Sequence, residues 1–512
     1  MKASSAPPAP AETELKLALP GADPRDLAAR LALLAPLAGV APRVQVLRNL
    51  YFDTPDQLLR GARAALRLRS LREPAPGQAR TRTQWLQTFK TAGSGQGGLS
   101  QRGEWEQPVR QGRLDLLALQ ATPWHGLDPE GRRFGELAPV FETHATRTLW
   151  EVRGARGSRI EVALDVGEVR AGERRQPLCE LELELLAGPA DALFVLARRI
   201  ARSLAVLPAH LSKAERGWRL ADGTAHAPRR AQTLPLTRDT ALPLAAQQVL
   251  GEALDQFTAN LEGVLGSDGP ELVHQARVGW RRWRSALWLF KPLLAEAAAP
   301  DTQALRPLLK TLGAMRDLDV AALETLPLWA DTYIEGDPDR AAAWRTMEAA
   351  VQAARQTRRA ALLIAMQQPA CGQALLAAAR WLHALPAASL PGDLAGARIG
   401  PWAADRTKRL HTRLAREADA LDDADLEGPE VHEHQHRLRL LAKRTRYCLD
   451  AVRPALPKSR TKRWHDEAAD LQTSIGAARD LMLLADLLQP LGVDRGILGF
   501  LRGVAAGRAA AL

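Results

Sequence analysis

Hydrophobic periodicity changes once along this 512-residue chain, and the change divides it in two. From Ala11 to about Leu220 the pattern alternates: Glu12, Glu14 and Lys16 are separated by Thr13, Leu15 and Leu17. Later, Glu180, Glu182 and Glu184 are separated by Leu181, Leu183 and Leu185. Period two sends successive side chains to opposite faces of a strand. After Leu242 the chain is rich in Ala and Leu at helical spacing, punctuated at Gly269-Pro270 and Pro391-Gly392. Between them, Ala221 to Thr240 carries two prolines and no apolar periodicity, which predicts a linker.

Further strands are expected at Val46 to Phe52, Ala65 to Arg69, Gln84 to Lys90, Gly103 to Val109, Thr146 to Val152 and Ile160 to Val166. About eight short strands in succession predict an antiparallel sheet or barrel, with helices at Leu27 to Leu37 and Ala190 to Ser203 packed outside it. The expected organisation is multidomain, α+β then all-α. Residues 1–10 form a disordered lead, 11–220 the strand domain, 221–241 the linker, and 242–512 a helical domain of two repeats, about 242–400 and 401–512.

Three cysteines, Cys179, Cys371 and Cys448, lie far apart and are expected to be reduced and structural. The longest apolar stretch is broken by Arg30 and Pro36, so no membrane span is expected, and the first ten residues lack the apolar core of a signal peptide. A cytoplasmic location follows. The net charge of +11 points to a polyanion, whether nucleic acid, anionic lipid or polyphosphate. Residues 1–230 hold 34 Lys and Arg against 25 Asp and Glu, so the helical half is basic only in patches.

An internal repeat organises that half. HQARVGWRRWRS begins at His274 and HRLRLLAKRTRY at His436, with His, Arg, a cation, Arg and Arg at offsets 0, 3, 7, 8 and 10. Each copy is followed by a second element: Leu312 to Asp317 in the first, Ile475 to Asp480 in the second. Offsets 0, 3, 7 and 10 fall within roughly 80° of a helix surface, so His274, Arg277, Arg281 and Arg284 form one stripe. His436, Arg439, Lys443 and Arg446 form another, with Arg282 and Arg444 beside them. Stacked cations repel one another unless an anion lies between them. A linear polyanion suits a linear stripe, with Arg giving bidentate phosphate contacts and His adding charge as pH falls. Nucleic acid would call for exposed aromatics interleaved with the cations, but Trp280 and Trp283 lie off the stripe and have no aromatic counterpart in the second copy. Core packing explains them better. The run His432, His434, His436 could not converge on zinc, because alternate helical positions diverge by about 200°.

These two copies, each with its Gly-x-x-Arg-Asp element, resemble the CHAD domain, the conserved-histidine α-helical domain. That resemblance implies paired helical bundles whose basic face binds inorganic polyphosphate, and hence an association with polyphosphate granules.

In the strand half, two acidic ladders on inward faces would be costly to bury without divalent cations, and hard oxygen ligands select Mg²⁺ or Mn²⁺. On a solvent face they would be unremarkable, and spacing leaves open which of Glu180, Glu182 and Glu184 would touch metal. Lysine is scarce in this arginine-rich chain, yet Lys16, Lys90 and Lys213 fall where a phosphate site would want them, along with Arg67 and Arg69. With the E-x-E-x-K opening, YFDTPD at Tyr51 to Asp56, LRLR at Leu66 to Arg69, RGEWE at Arg102 to Glu106 and SKAERG at Ser212 to Gly217, this half resembles the CYTH or triphosphate tunnel metalloenzyme family. The resemblance implies an eight-stranded antiparallel tunnel with flanking helices, hydrolysing inorganic triphosphate. It implies catalytic roles for Glu12, Glu14 and Lys16, metal ligation by Glu12, Glu14, Glu182 and Glu184, and phosphate binding by Arg67, Arg69, Lys90, Arg147 and Lys213. Asp165 and Glu161 are further acidic candidates. Two other functions stay open: a non-catalytic polyphosphate-binding protein, or a tunnel acting on thiamine triphosphate or ATP. No obligate protein partner is inferred.

Overall fold

The alternating stretches at Glu12 to Leu17 and Glu180 to Leu183 become strands whose two faces are both largely covered. A computed structural model describes residues 11–73, 83–294, 298–387, 392–422, 429–474 and 477–510. Its strands are β1 (Ala11–Ala18), β2 (Arg43–Asp53), β3 (Ala65–Arg72), β4 (Thr83–Lys90), β5 (Leu99–Pro108), β6 (Ala138–Arg153), β7 (Arg159–Ala171) and β8 (Arg174–Ala187). A two-residue β9, Leu207–Pro208, pairs with the end of β1. All pairings are antiparallel, in the order β5-β4-β3-β2-β6-β7-β8-β1, and β1 pairs again with β5. The ring is therefore closed, with no free edge among its eight long strands.

Strands β6 and β7 run 16 and 13 residues, beyond the seven expected of each. Their extra length pairs with β2 and β8, around a bulge at Tyr51/Phe52. The segment Leu27 to Leu37 is helical only over Leu27–Ala32. The outer faces of β1 and β8 carry Leu15, Leu17, Leu181 and Leu183, all fully buried. The helix Asp191–Ile200 lays Leu193, Phe194, Leu196, Ala197 and Ile200 toward the interior and packs on these two strands. Each such leucine contributes roughly 1.5–3 kcal/mol of burial. The opposite faces of β1 and β8, which carry the charges, are left to the lumen.

The helix Lys213–Ala221 opens with a capping box: Ser212 Oγ accepts from Glu215 N at 3.1 Å, and Glu215 Oε2 accepts from Ser212 N at 2.8 Å. It packs Ala214, Trp218 and Leu220 against Tyr51, Phe141, Val169 and Leu178. Gly217 allows this approach, since a Cβ there would lie 2.0 Å from the Phe141 ring. The same docking delivers Lys213 to the lumen.

The chain forms two compact units: Met1–Ala227 with Leu265–Ser267 and Met366–Arg380, and the remainder from Pro228 to Leu512. The named elements of the second, among the described residues, are all helices. Among the described residues, no single helix is long and apolar enough to cross a membrane. Part of the polar stretch expected as a linker lies along this unit: Gln232 N donates to Glu252 Oε1 at 2.8 Å, Arg229 N to Asn260 Oδ1 at 3.0 Å and Gly400 N to Arg238 O at 3.0 Å. The stripe-bearing helices, Pro270–Leu289 and Pro429–Val452, pack on each other, with Cys448 Sγ 3.5 Å from Ser285 O.

Gly217→Ala is expected to lower stability by about 1–3 kcal/mol through overpacking against Phe141. The midpoint of chemical denaturation checks this.

Candidate functional site

Register places the inner faces of all eight strands, most of them charged, around one lumen. Across β1 and β8, Glu14 faces Glu184, Lys16 faces Glu182 and Ala18 faces Glu180. Across β7 and β8, Asp165 faces Glu180 and Glu161 faces Glu184; across β6 and β7, Arg147 faces Asp165. On the other side of the ring, Asn49 faces Arg69, Arg67 faces Thr88, Thr88 faces Glu106, Lys90 faces Glu104, and Arg102 faces Glu12.

The most deeply buried part is a cluster of opposite charges. Lys213 Nζ lies 2.5 Å from Glu180 Oε1, 2.8 Å from Glu182 Oε1 and 2.7 Å from Asp165 Oδ2. Lys16 Nζ is 2.9 Å from Glu182 Oε1 and 3.5 Å from Glu180 Oε1. Arg147 closes the cluster with a two-point contact to Asp165 at 2.7 and 2.6 Å, and one to Glu182 at 2.7 Å. Burial alone would push these carboxylates up. The cations reverse it, holding Asp165 down at about 2 and Glu182 well below the usual range. Against the same burial penalty, the carboxylates raise Lys16 and Lys213 above the ordinary lysine value.

A second cluster spans β1, β3, β4 and β5. Lys90 Nζ lies 2.8 Å from Glu12 Oε2 and 3.0 Å from Glu104 Oε2. Arg102 reaches Glu12 at 2.9 Å and Glu14 at 2.7 Å, and Arg67 reaches Glu104 at 3.2 Å and Glu106 at 3.3 Å. Glu12 is held below the usual range because Lys90 and Arg102 outweigh its burial.

Two lumen groups stand apart from this pairing. Arg69, on β3, has no carboxylate within ion-pair distance among the described residues; its Nε donates to Asn49 Oδ1 at 2.8 Å. Burial, with Arg67 and Arg147 nearby, lowers it to about 10, so it stays charged at neutral pH. Glu184, on β8, has no cation within ion-pair distance among the described residues. Burial, with Glu12, Glu104 and Glu161 as neighbours, raises it to about 7. Strands β3 and β8 stand four places apart in the eight-strand ring, on opposite walls.

This donor set fits a hard divalent cation, which would balance the surplus carboxylate at Glu184 beside Glu12 and Glu14. The ligating oxygens of Asp165, Glu180 and Glu182 lie within 4.8 Å of one another, and three cations already occupy that group. All expected tunnel residues, Glu12, Glu14, Lys16, Arg67, Arg69, Lys90, Arg147, Lys213, Glu182 and Glu184, share this lumen. The sequence reasoning did not single out Arg102, Glu104 and Glu106 as site residues, although their period-two spacing in RGEWE carries the signal. Asn49, Thr88 and Thr143 are uncharged, and only register brings them in.

In the helical unit the two motifs of the first repeat meet. Arg277 Nη2 lies 4.0 Å from Asp317 Oδ1, and a Cβ on Gly313 would sit 2.7 Å from Arg277 Nη1. That explains the glycine and aspartate of the Gly-x-x-Arg-Asp element. His274 is lowered by burial and by Arg316 and Arg281, and Arg277 by burial and by Arg281. Arg277, Arg281 and Arg316 thus crowd one face beside His274, Arg316 being an addition to the stripe. Arg282 differs: it is tied to Glu252 and, at 2.6 Å, to Gln256 Oε1. Trp283 is buried and Trp280 packs on Phe257, whereas the Trp288 ring holds the guanidinium groups of Arg406 and Arg444 at 5.0 and 5.2 Å.

In the second repeat, His436 is exposed, Arg439, Lys443 and Arg446 are half-buried, and Arg446 lies over Tyr447. His434 Nε2 meets Glu417 O at 3.1 Å; the side chains of His432 and of Ile475 to Asp480 lie outside the described residues.

Glu184→Gln provides a check on the unpaired carboxylate. The fold raises this group's pKa, so its ionised form costs stability fully above about pH 7, and the cost fades as pH falls toward 4.5. In chelator at pH 8 the variant is expected to melt above the parent, with the gap closing toward pH 4.5. Thermal melts across that range test it.

The CYTH domain family matches residues 10–217, and the CHAD domain family residues 248–489. An inorganic triphosphatase of Haemophilus influenzae is 33% identical over 175 residues, covering 34% of this chain and 46% of that protein; the match therefore spans less than half the relative's length. A solved CHAD domain from the plant Ricinus communis is 29% identical, with a TM-score of 0.45 over 56% of this chain and 92% of that one. A Hippeastrum protein, assigned as an adenylyl cyclase and described by its dominant triphosphatase activity, is 19% identical, with a TM-score of 0.28 over 44% of this chain and 98% of that one. With strand ring and helical unit falling where the two family matches fall, the chain is a CYTH domain followed by a CHAD domain.

Proposed function

We propose that the strand ring hydrolyses inorganic triphosphate to pyrophosphate and phosphate, and that the stripes of the helical unit bind polyphosphate. The observation that supports the first reading most is a closed lumen whose walls carry Lys16, Arg67, Arg69, Lys90, Arg147 and Lys213 beside Glu12, Glu14, Glu182 and Glu184.

A triphosphate repels an incoming nucleophile through its own negative charge. Buried guanidinium and ammonium groups offset that repulsion more strongly than they would in water, and they are already oriented when the substrate arrives. Arg67, Arg69, Lys90 and Arg147 would grip the phosphate chain and stabilise charge building on the leaving pyrophosphate. Lys16 and Lys213 hold Glu182 ionised, and Lys90 and Arg102 do the same for Glu12. Carboxylates kept charged at neutral pH can orient water for in-line attack on the terminal phosphorus. A divalent cation, Mg²⁺ or Mn²⁺, held by Glu12, Glu14, Glu182 and Glu184, supplies Lewis-acid neutralisation of phosphate charge when bound. No serine or cysteine with a histidine base faces the lumen among the described residues, so the chemistry is direct hydrolysis by water.

In the helical unit, His274, Arg277 and Arg281 crowd one face with Arg316, while Arg439, Lys443 and Arg446 follow the same spacing on the helix packed against it. Arg284, His436 and Arg444 complete the surface. Arg282, paired with Glu252, braces its own helix.

Phosphate release from inorganic triphosphate, thiamine triphosphate and ATP, with Mg²⁺ or Mn²⁺ and with chelator, tests the first half. Metal-dependent release favouring inorganic triphosphate is expected. Glu12→Gln with Glu14→Gln should cut it by about 100-fold or more while polyphosphate binding persists. No release from any of the three would leave a binding protein. For the second half, Arg277→Ala with Arg439→Ala should weaken long-chain polyphosphate binding about tenfold or more and flatten its salt dependence. Unchanged affinity would remove the stripe from the account.

A further inference from the structure

Of the lumen cations, Lys16, Arg67, Lys90, Arg102, Arg147 and Lys213 each have a carboxylate oxygen within 3.3 Å. Arg69 is the exception. It is as buried as Arg67, at 8% exposure, yet its side-chain partner is the neutral amide of Asn49. Asn49 is 1% exposed and engaged at both ends of its amide: its Oδ1 accepts from Arg69 Nε at 2.8 Å, and its Nδ2 donates to Thr143 Oγ1 at 2.8 Å. The three residues form one register row, with Asn49 directly opposite Arg69 on β3 and Thr143 on β6. The Nη groups of Arg69 meet no protein acceptor among the described residues.

A buried guanidinium with no carboxylate in direct contact is expensive to keep. An aspartate at position 49 would have the same shape and would supply that counter-charge, with the Thr143 hydroxyl turning to donate. We propose that Asn49 is a positioning residue for substrate: it fixes the plane of Arg69 through Nε while leaving that cation un-neutralised, so that the anion to which Arg69 answers is the phosphate chain. The inference rests on the tunnel reading above and adds a residue to it. In physical terms, the stability forgone at position 49 is recovered when substrate binds.

Titration calorimetry with inorganic triphosphate in chelator reads this without turnover. Asn49→Asp is expected to bind about tenfold or more weakly, the loss of one charge-assisted contact, with a melting temperature no lower than the parent's. Arg69→Gln should lose a similar amount, and adding the uncharged change Asn49→Leu to Arg69→Gln should cost no more than about a further twofold, because Asn49 acts through Arg69. Thr143→Val, which disturbs the same row without adding charge, should stay within about threefold of the parent. The proposal is overturned if Asn49→Asp binds within twofold of the parent, if Asn49→Leu costs well over twofold in the Arg69→Gln background, or if Thr143→Val alone costs tenfold. Should Asn49→Asp fail to fold, unchanged affinity in Arg69→Gln overturns it as well. A parent that binds no triphosphate at any salt concentration overturns the tunnel reading together with this one, whereas a parent that binds well beside an indifferent Asn49→Asp overturns only the role of Asn49.

Discussion

Lys213 is the residue on which the strand domain turns. Its ammonium lies within 2.8 Å of three carboxylates, two of which, Asp165 and Glu180, have no solvent exposure. Desolvating a single carboxylate costs several kcal/mol, and attraction offsets this only where the geometry is close and every lone pair is met. Lys16 and Arg147 add their charges from β1 and β6, and Glu180 Oε2 has Arg216 Nε at 3.5 Å, while Lys213 comes from outside the sheet, on a helix held by its capping box and by Gly217 against Phe141. The apolar docking of one short helix thus decides whether the acidic wall is tolerable. Replacing one partner would strand the others, typically at 3–5 kcal/mol.

The alternation in β1 and β8 was legible because both faces are buried, one by leucines and the other by charges, so a strict period of two survives along each strand. Strand ends were less legible. The first half of β6, with Pro139 and a bulge opposite, reads as loop chemistry until β2 is there to pair with it. The site followed the same rule. Residues with their own charge and spacing, such as Glu12, Lys16 and Arg67, announce themselves in one dimension. Asn49 and Thr143 do not, because their meaning lies in what register sets opposite them. Arg102, Glu104 and Glu106 fall between, present in a quoted segment but assigned no role.

The helical stripe was readable from the 3.6-residue period, and the match between its two copies gave it weight. What it could not convey is which cations are already spoken for. Arg282 stands beside the stripe in sequence but is tied to Glu252 on the preceding helix, and Arg444 lies against Trp288 of the other copy. Neighbouring helices, which a periodicity argument on one helix cannot see, supply these partners.

The closure of the strand ring has a topological consequence. An open sheet would let a polymer lie across it at any point along its length, whereas eight strands hydrogen-bonded all round leave no lateral slot. A ligand can arrive only along the barrel axis, and near one end Tyr51 and Phe141 are packed under the helix that carries Lys213. On the proposed reading, entry would require a leading terminus. Such a barrel would distinguish a chain end from an internal linkage by threading alone, before any individual phosphate had been recognised.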